Sequence, residues 1–289
     1  MFSKMLKVIG ILLPIGCIIF IYMEVKNPSE LKQFRFSNGP FVINAKTSPS
    51  RVGLDQLNAS GSARITQPSL QTKLASVAQP VYVFDLIHEP HYFIQGLPTH
   101  WYGYKASHLF SNISKKPGWF HIRHTFRRFL RTGKLTHMPH DLQSEKNIIE
   151  AAGYHYINMD FHRGHIPQHE QVDILVNALK ALPQERWIHA HCSAGQGRTT
   201  VFLTMYDILM NGKKVPLKDI VERQYRLGGV DLFDTVVWKN GSYTQKALNN
   251  RKNFIVKFYQ YVNDPKGLGV SSWKEWIAVN NDSNSIYEP

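Results

Sequence analysis

The sequence is poor in cysteine and poor in acid. Two cysteines, Cys17 and Cys192, stand in 289 residues. That excludes a disulfide scaffold and a cysteine-rich zinc fold. Asp and Glu number 21 against 34 Lys and Arg, for a formal charge of +13. Residues 90–140 contain no Asp or Glu, yet hold eight Lys or Arg and seven His. A chain so balanced is expected to meet an anion: nucleic acid, acidic lipid or a phosphorylated small molecule. Internal repeats and low-complexity tracts are absent, and so is the nucleotide loop GxxxxGK[ST]. What remains is 43% apolar and 12% aromatic, enough for a substantial core, so global disorder is excluded. The length suits one large domain or two intimate ones.

Lys4 and Lys7 precede an apolar run from Val8 to Met23, closed by Glu24. The run is short of the ~20 residues that span a bilayer comfortably. Basic flank plus apolar stretch fits an export signal or an anchor. No small-x-small cleavage site follows, which favours an uncleaved anchor over residues 1–26 and an exported or membrane-anchored protein. Residues 27–79, rich in Ser, Asn, Gln and Pro, read as an extended lead-in packing on the body, with turns at SNGP (37–40) and ASGSA (59–63). A catalytic body is expected over 80–280.

Within it, PVYVFDLI (80–87), YHYINMD and RWIHAH (186–191) read as strands. QSEKNIIEAAG reads as a helix ended by Gly153. HEQVDILVNALKAL, with Val172, Leu175, Leu179 and Leu182 at three- and four-residue spacing, reads as an amphipathic helix. TTVFLTMYDILM (199–210) is apolar nearly all round, a buried helix stopped by Asn211-Gly212. PLKDIVERQYRLGG gives another helix. Alternating strands and helices imply an α/β body.

The decisive motif is HCSAGQGRTT, residues 191–200, between the RWIHAH strand and the buried helix. Five residues separate Cys192 from Arg198: Ser193, Ala194, Gly195, Gln196 and Gly197. Such a loop can curl so that its N–H groups make an anion nest at a helix N-terminus. The same dipole and amides lower a cysteine's pKa, favouring a Cys192 thiolate. Arg198 can grip two phosphate oxygens as a fork. Thr199 can hydrogen-bond the sulfur. His191 reads as a buried histidine that fixes the loop. This set suits attack by Cys192 on phosphorus, a phosphocysteine, and its hydrolysis by water. Neither a metal nor a cofactor is required.

HCSAGQGRTT resembles the signature loop of cysteine-dependent protein tyrosine phosphatases. The blocks SGSARITQPSLQ, VYVFDLIHEPHYFIQGLPTHWYG, EAAGYHYI, LPQERWIHAHCSAGQGRTT, LKDIVERQYRLGG and FYQYV…W..W look like one branch, the bacterial phosphatase-like phytases, which dephosphorylate inositol hexakisphosphate. The resemblance spans roughly residues 59 to 275. It implies a phosphatase-like α/β domain, a central sheet flanked by helices, with a smaller partial-barrel subregion. It implies Cys192 as nucleophile, residues 193–198 as phosphate cradle, and an inositol polyphosphate as substrate. Asp85, Glu89 and His91 resemble the family's pocket-wall block.

Two positions depart from the family. Ile87 stands where the block carries an arginine. In the family's D-H-x-x-P, an aspartate protonates the leaving oxygen; here Arg163-Gly164-His165-Ile166-Pro167 puts Arg163 in its place, and arginine cannot give up a proton usefully. Asp160, His162 and His165 are the candidate substitutes, and Asp160 is favoured as the sole carboxylate of that loop. The 115–134 run, Arg163, His165, Lys239, Lys246, Arg251 and Lys252 are candidates for holding phosphates. Gln224 is a candidate for positioning water. Other readings are a phosphotyrosine or phosphoinositide phosphatase beside a membrane, and a silent polyanion-binding module. An export-type N-terminus argues against a nucleic-acid partner.

Overall fold

The computed structural model describes residues 31–44, 48–89, 91–94, 97–100, 142–162, 164–237 and 243–280. The N-terminal apolar run, the 115–134 basic run, Arg163 and Lys239 lie outside them.

Five strands form the main sheet: β1 (Arg35–Phe36), β2 (Ala59–Ser62), β3 (Val81–Asp85), β7 (His155–Asn158) and β8 (Trp187–His191). Their order is β1-β2-β8-β3-β7. β2, β8, β3 and β7 run parallel, and β1 closes the edge antiparallel to β2. A second, three-stranded antiparallel sheet orders β4 (His91–Ile94) between β5 (Leu97–His100) and β6 (Leu142–Gln143). The helices are α1 (Gln67–Leu74), α2 (Glu145–Ala151), α3 (His169–Ala181), α4 (Gly197–Asn211), α5 (Leu217–Arg226), α6 (Gln245–Asn263) and α7 (Trp273–Asn280).

Strand alternation divides the core in two. Val81 and Val83 of β3, with Trp187 of β8, face a cluster that includes Leu70 and Leu74 of α1 and Ile148 and Ile149 of α2. Phe84, Ile188 and Ala190 face the larger cluster built from α3 to α7. α4 is buried on nearly every side between the sheet, α5 and α6, matching its all-round apolar sequence. α3 buries Val172, Leu175, Val176 and Leu179, as the spacing predicts. α2 starts on Ser144, whose side chain accepts from Asn147 N–H, and the turn after it uses Gly153 at φ +83.

ASGSA is a strand, not a turn. Ala59–Ser62 pairs with β8 on one side and β1 on the other, so the Ser-rich segment supplies part of the main sheet. Its small residues are there because α4 lies close. A Cβ at Gly61 would sit 2.8 Å from Leu203 and Thr199 side chains.

The parallel register sets up the site. Ser62, His191, Asp85 and Asn158 stand side by side on one face, at the C-terminal ends of four strands. Cys192 follows at once. The carboxyl ends of a parallel sheet are where open α/β folds place their ligands.

Candidate active site

The loop Cys192–Gln196 leaves the end of β8 and turns straight into α4. Two features make so tight a turn feasible. Gly195 adopts φ +70, and a Cβ there would lie 2.3 Å from Ala63 N. Beneath it, Arg35 of β1 is buried and donates from Nη1 to the Gly195 carbonyl at 2.7 Å and from Nη2 to Thr200 Oγ1 at 3.2 Å. A planar trans peptide whose C=O points at Arg35 aims the next N–H the other way. Arg35 therefore turns the loop's carbonyl backwards and its amide forwards. Arg35 was not singled out from the sequence, where an arginine in a Ser-rich segment carries no distinguishing signal.

Cys192 is 3% exposed and is the one free cysteine among the described residues. Its flank joins the apolar cluster under α4. Burial pushes the thiol up. Hydrogen bonds from Thr199, the charge of Arg198 and the Ala194 backbone outweigh that, so its pKa is lowered from the ordinary value. Cys192, Arg198 and Thr199 thus come together. Ser193 and Gly197 are half-buried, Gly195 is buried, and Ala194 and Gln196 are exposed at the rim. A Cβ on Gly197 would meet Tyr243 Oη at 2.3 Å, so Tyr243 borders the loop.

Arg198 is clasped from two directions. Nη1 donates to Glu89 Oε2 and to the Phe161 carbonyl, both at 2.8 Å. Nη2 makes two longer contacts of 3.4 Å, to Glu89 Oε1 and Ser193 Oγ. The short bonds hold the guanidinium; the long ones are weak enough for an incoming oxyanion to replace.

The pocket-wall block splits. Glu89 takes the arginine, while Asp85 and His91 are drawn into a buried network behind the loop. His91 Nε2 lies 2.8 Å from Asp85 Oδ2 and 3.0 Å from Glu145 Oε2, and its Nδ1 lies 2.7 Å from the Glu89 carbonyl. With both ring nitrogens engaged, His91 is not open to substrate, contrary to the sequence expectation. Tyr156 Oη and Asn158 Nδ2 donate to Asp85 Oδ2 at 2.7 and 3.1 Å. His191 Nε2 lies 2.8 Å from Glu145 Oε1. Burial alone would lower His91; hydrogen bonds with Asp85 and Glu145 raise it to about 10. Burial likewise opposes the charge of His191, and Glu145 and then Asp85 raise it. Burial would raise Glu145; the two histidines hold it well below the carboxylate range. Glu145, at the start of α2, was missed because its sequence context is that of any exposed first-turn acid. Asp85, His91 and Glu145 offer atoms within 4.8 Å of one another, a spacing that a cation would fit. The protonated histidines already supply the positive charge that this pair of carboxylates needs.

Asp160 stands at φ +51, its side chain 56% exposed, with its carboxylate 2.7 Å from His88 Nδ1. His162 lies against His88 with ring centroids 3.5 Å apart, and His165 is exposed, 6.4 Å from His162. Lys246 is exposed in the first turn of α6. Arg251 and Gln224 are engaged with protein partners. Arg251 is 8% exposed and donates to the Asp231 and Asp234 carbonyls; Gln224 is buried and donates to Asp207, beside the Arg223–Asp207 pair. Ile87 is buried in the apolar cluster, so no cation reaches the pocket from that position.

This geometry has counterparts. A family model for PTP-like phytases, described as inositol hexakisphosphate, matches residues 120–210. Uncharacterized protein AvrBs1.1 of Xanthomonas campestris pv. campestris is 32% identical over 102 residues, which is 35% of this chain and 97% of its own. The chain belongs to the PTP-like phytase family. The PTP-like myo-inositol phosphatase of Mitsuokella multacida, solved in complex with myo-inositol-(1,3,4,5)-tetrakisphosphate, superposes with a TM-score of 0.71 at 26% identity, over 89% of this chain and 47% of that one. A PTP-like phytase of Bdellovibrio bacteriovorus gives 0.62 at 27% identity, over 87% and 91%. Effector protein hopD2 of Pseudomonas syringae pv. tomato is 25% identical over 248 residues, 78% of this chain and 52% of its own. The chain therefore spans about half the length of the Mitsuokella enzyme and of hopD2. Among the described residues no helix is long and apolar enough to cross a membrane.

Proposed function

We propose that this PTP-like phytase homologue is a cysteine-dependent phosphatase acting on inositol polyphosphates, with residues 80–280 and the β2 segment forming its catalytic body. The observation that carries the reading is the placement of Cys192 at the end of β8, in a tight loop that runs into α4 and is closed by Arg198. Cys192 Sγ attacks phosphorus, and the phosphoryl group passes to sulfur as the ester oxygen leaves. Water then splits the phosphocysteine and returns the thiolate. Loop amides and Arg198 carry the charge of the equatorial oxygens. Thr199, hydrogen-bonded to the sulfur, eases its departure in the second step. His191, fixed by Glu145, holds the strand end from which the nucleophile projects.

The inositol phosphate bound to the Mitsuokella enzyme supports a polyphosphorylated substrate. Exposed Lys246 and His165, with Arg163 and Lys239, are proposed to hold phosphates beyond the scissile one. The likeness to an effector protein supports export from the bacterium.

Phosphate release from inositol hexakisphosphate tests the function. The wild type is expected to release phosphate and Cys192→Ser to lose at least ~10⁴-fold, the scale on which a covalent nucleophile contributes. Binding of phytate with no release by the wild type would mark the chain instead as a polyanion-binding module.

A further inference from the structure

The alcohol that leaves an inositol phosphate is a poor leaving group and departs with a proton. The buried histidines cannot supply it: His91 and His191 are locked to Glu145 and Asp85. The exposed face beside Arg198 offers another source. Two segments clasp the Arg198 guanidinium, one through Glu89 and one through the Phe161 carbonyl, each at 2.8 Å. The residues immediately before those contacts, His88 and Asp160, bridge the two segments at 2.7 Å. The pair therefore lies across the rim of the arginine's site, with side chains 40% and 56% exposed.

Its geometry is fixed. Asp160 holds a left-handed backbone conformation, uncommon in a non-glycine residue, which fixes the direction of its side chain. Gln171 Nε2 pins the Asp160 carbonyl at 2.9 Å. The His162 ring, 3.5 Å from that of His88, limits its rotation. A carboxylate on Nδ1 sets the tautomer and leaves Nε2 to exchange the proton.

We propose that His88, oriented by Asp160, is the general acid and base of the reaction. The inference rests on the phosphatase reading above. As Cys192 Sγ bonds phosphorus and the P–O ester bond breaks, the ester oxygen takes the proton from Nε2, leaving an alcohol and neutral His88. In the second half, Nε2 takes a proton from water as its oxygen bonds phosphorus and the P–S bond breaks. That restores the thiolate and the imidazolium and releases inorganic phosphate. Among the described residues, the charged and titratable groups around His88 are Asp160 and His162 from the facing segment, Glu89 beside it in sequence, Arg198 at the start of α4, and His165 beyond His162.

The test uses two substrates of the full chain. Inositol hexakisphosphate has alcohol leaving groups; p-nitrophenyl phosphate releases a phenolate that leaves without a proton. His88→Asn is expected to lower kcat/KM on inositol hexakisphosphate by ~10² or more and to remove its alkaline limb. On p-nitrophenyl phosphate kcat/KM, which covers only the steps up to phenolate release, should stay within about threefold and so report an intact fold, while kcat falls because the phosphocysteine common to both substrates is hydrolysed more slowly. Asp160→Asn should cost less than His88→Asn. Equal losses of kcat/KM on both substrates, no loss on either, or a larger loss for Asp160→Asn would each overturn the assignment. Cys192→Ser separates the two levels. If it spares turnover, the phosphatase reading fails; if it abolishes turnover while His88→Asn is silent, only the His88 assignment fails.

Discussion

His189 and His191 sit two residues apart on the same face of β8, both fully buried, and the sheet treats them oppositely. His189 lies in a row with Ser60, Val83 and Tyr156; His191 lies in the next row with Ser62, Asp85 and Asn158. His189 finds only hydroxyls. Ser60 Oγ lies 2.9 Å from Nδ1 and Ser62 Oγ 3.1 Å from Nε2. Burial, then the charges of His191 and Arg35, push its pKa down to about 3. His191 finds Glu145 and Asp85, and its pKa rises despite equal burial. Burial alone therefore does not decide charge. One carboxylate reaching over from α2 makes the difference, and it does so directly behind the nucleophile.

Glu145→Gln breaks the comparison with the largest expected effect. It keeps the shape but removes the charge that both His91 and His191 depend on. Breaking a buried ion pair on one side costs about 3–5 kcal/mol. Denaturant unfolding at neutral pH should show that loss, and imidazole NMR should show His191 neutral there, like His189. Unchanged stability would mean that Glu145 carries no charge in the native state.

A smaller effect sharpens the contrast by pH. His91 has a folded pKa of about 10 against an ordinary 6.5. Its contribution is complete below about 6.5 and is lost as pH climbs towards about 10. His191, also raised, adds to the same side. Unfolding free energy should therefore decline between about pH 6.5 and 10, and the slope should flatten in Glu145→Gln. A wild-type profile that is level over this range would contradict the protonated network.

The loop could be read from sequence because its chemistry is contiguous. Cys192, Arg198 and Thr199 need only one tight turn and one helix start to meet. Strands β3, β7 and β8 and helices α2 to α5 were legible, α3 from the period of its buried face and β3 and β8 as short runs buried on both sides, whereas β4 to β6 were not read from the sequence. What surrounds the loop was not legible. Arg35, Glu89 and Glu145 converge on residues 191–198 from separate elements, and only the sheet order brings them there. Ala59–Ser62 deceived for a different reason. Glycine and serine are turn formers in isolation, but here they are the side chains small enough to let α4 lie on the sheet. The same convergence accounts for Asp160. The sequence offered it as a lone carboxylate; the fold supplies His88 as its partner from 72 residues away.

The smallest expected effect concerns the other histidine. His189→Gln keeps a side chain that can bond both serines while removing the group that resists protonation. Because the folded pKa of His189 lies below its ordinary 6.5, its contribution is complete above about 6.5 and is lost as pH falls towards about 3. Glu145, with an ordinary value of 4.5, starts to withdraw its own contribution only below about that pH. Between about pH 6.5 and 4.5 His189 is thus the group around β8 whose proton uptake on unfolding erodes stability. One proton corresponds to about 1.4 kcal/mol per pH unit at full slope. His189→Gln should cost about 1 kcal/mol or less at pH 7 and lose less than the wild type on acidification across that window. Identical acid slopes in the two proteins would show that His189 is charged in the native state, and the contrast along β8 would then vanish.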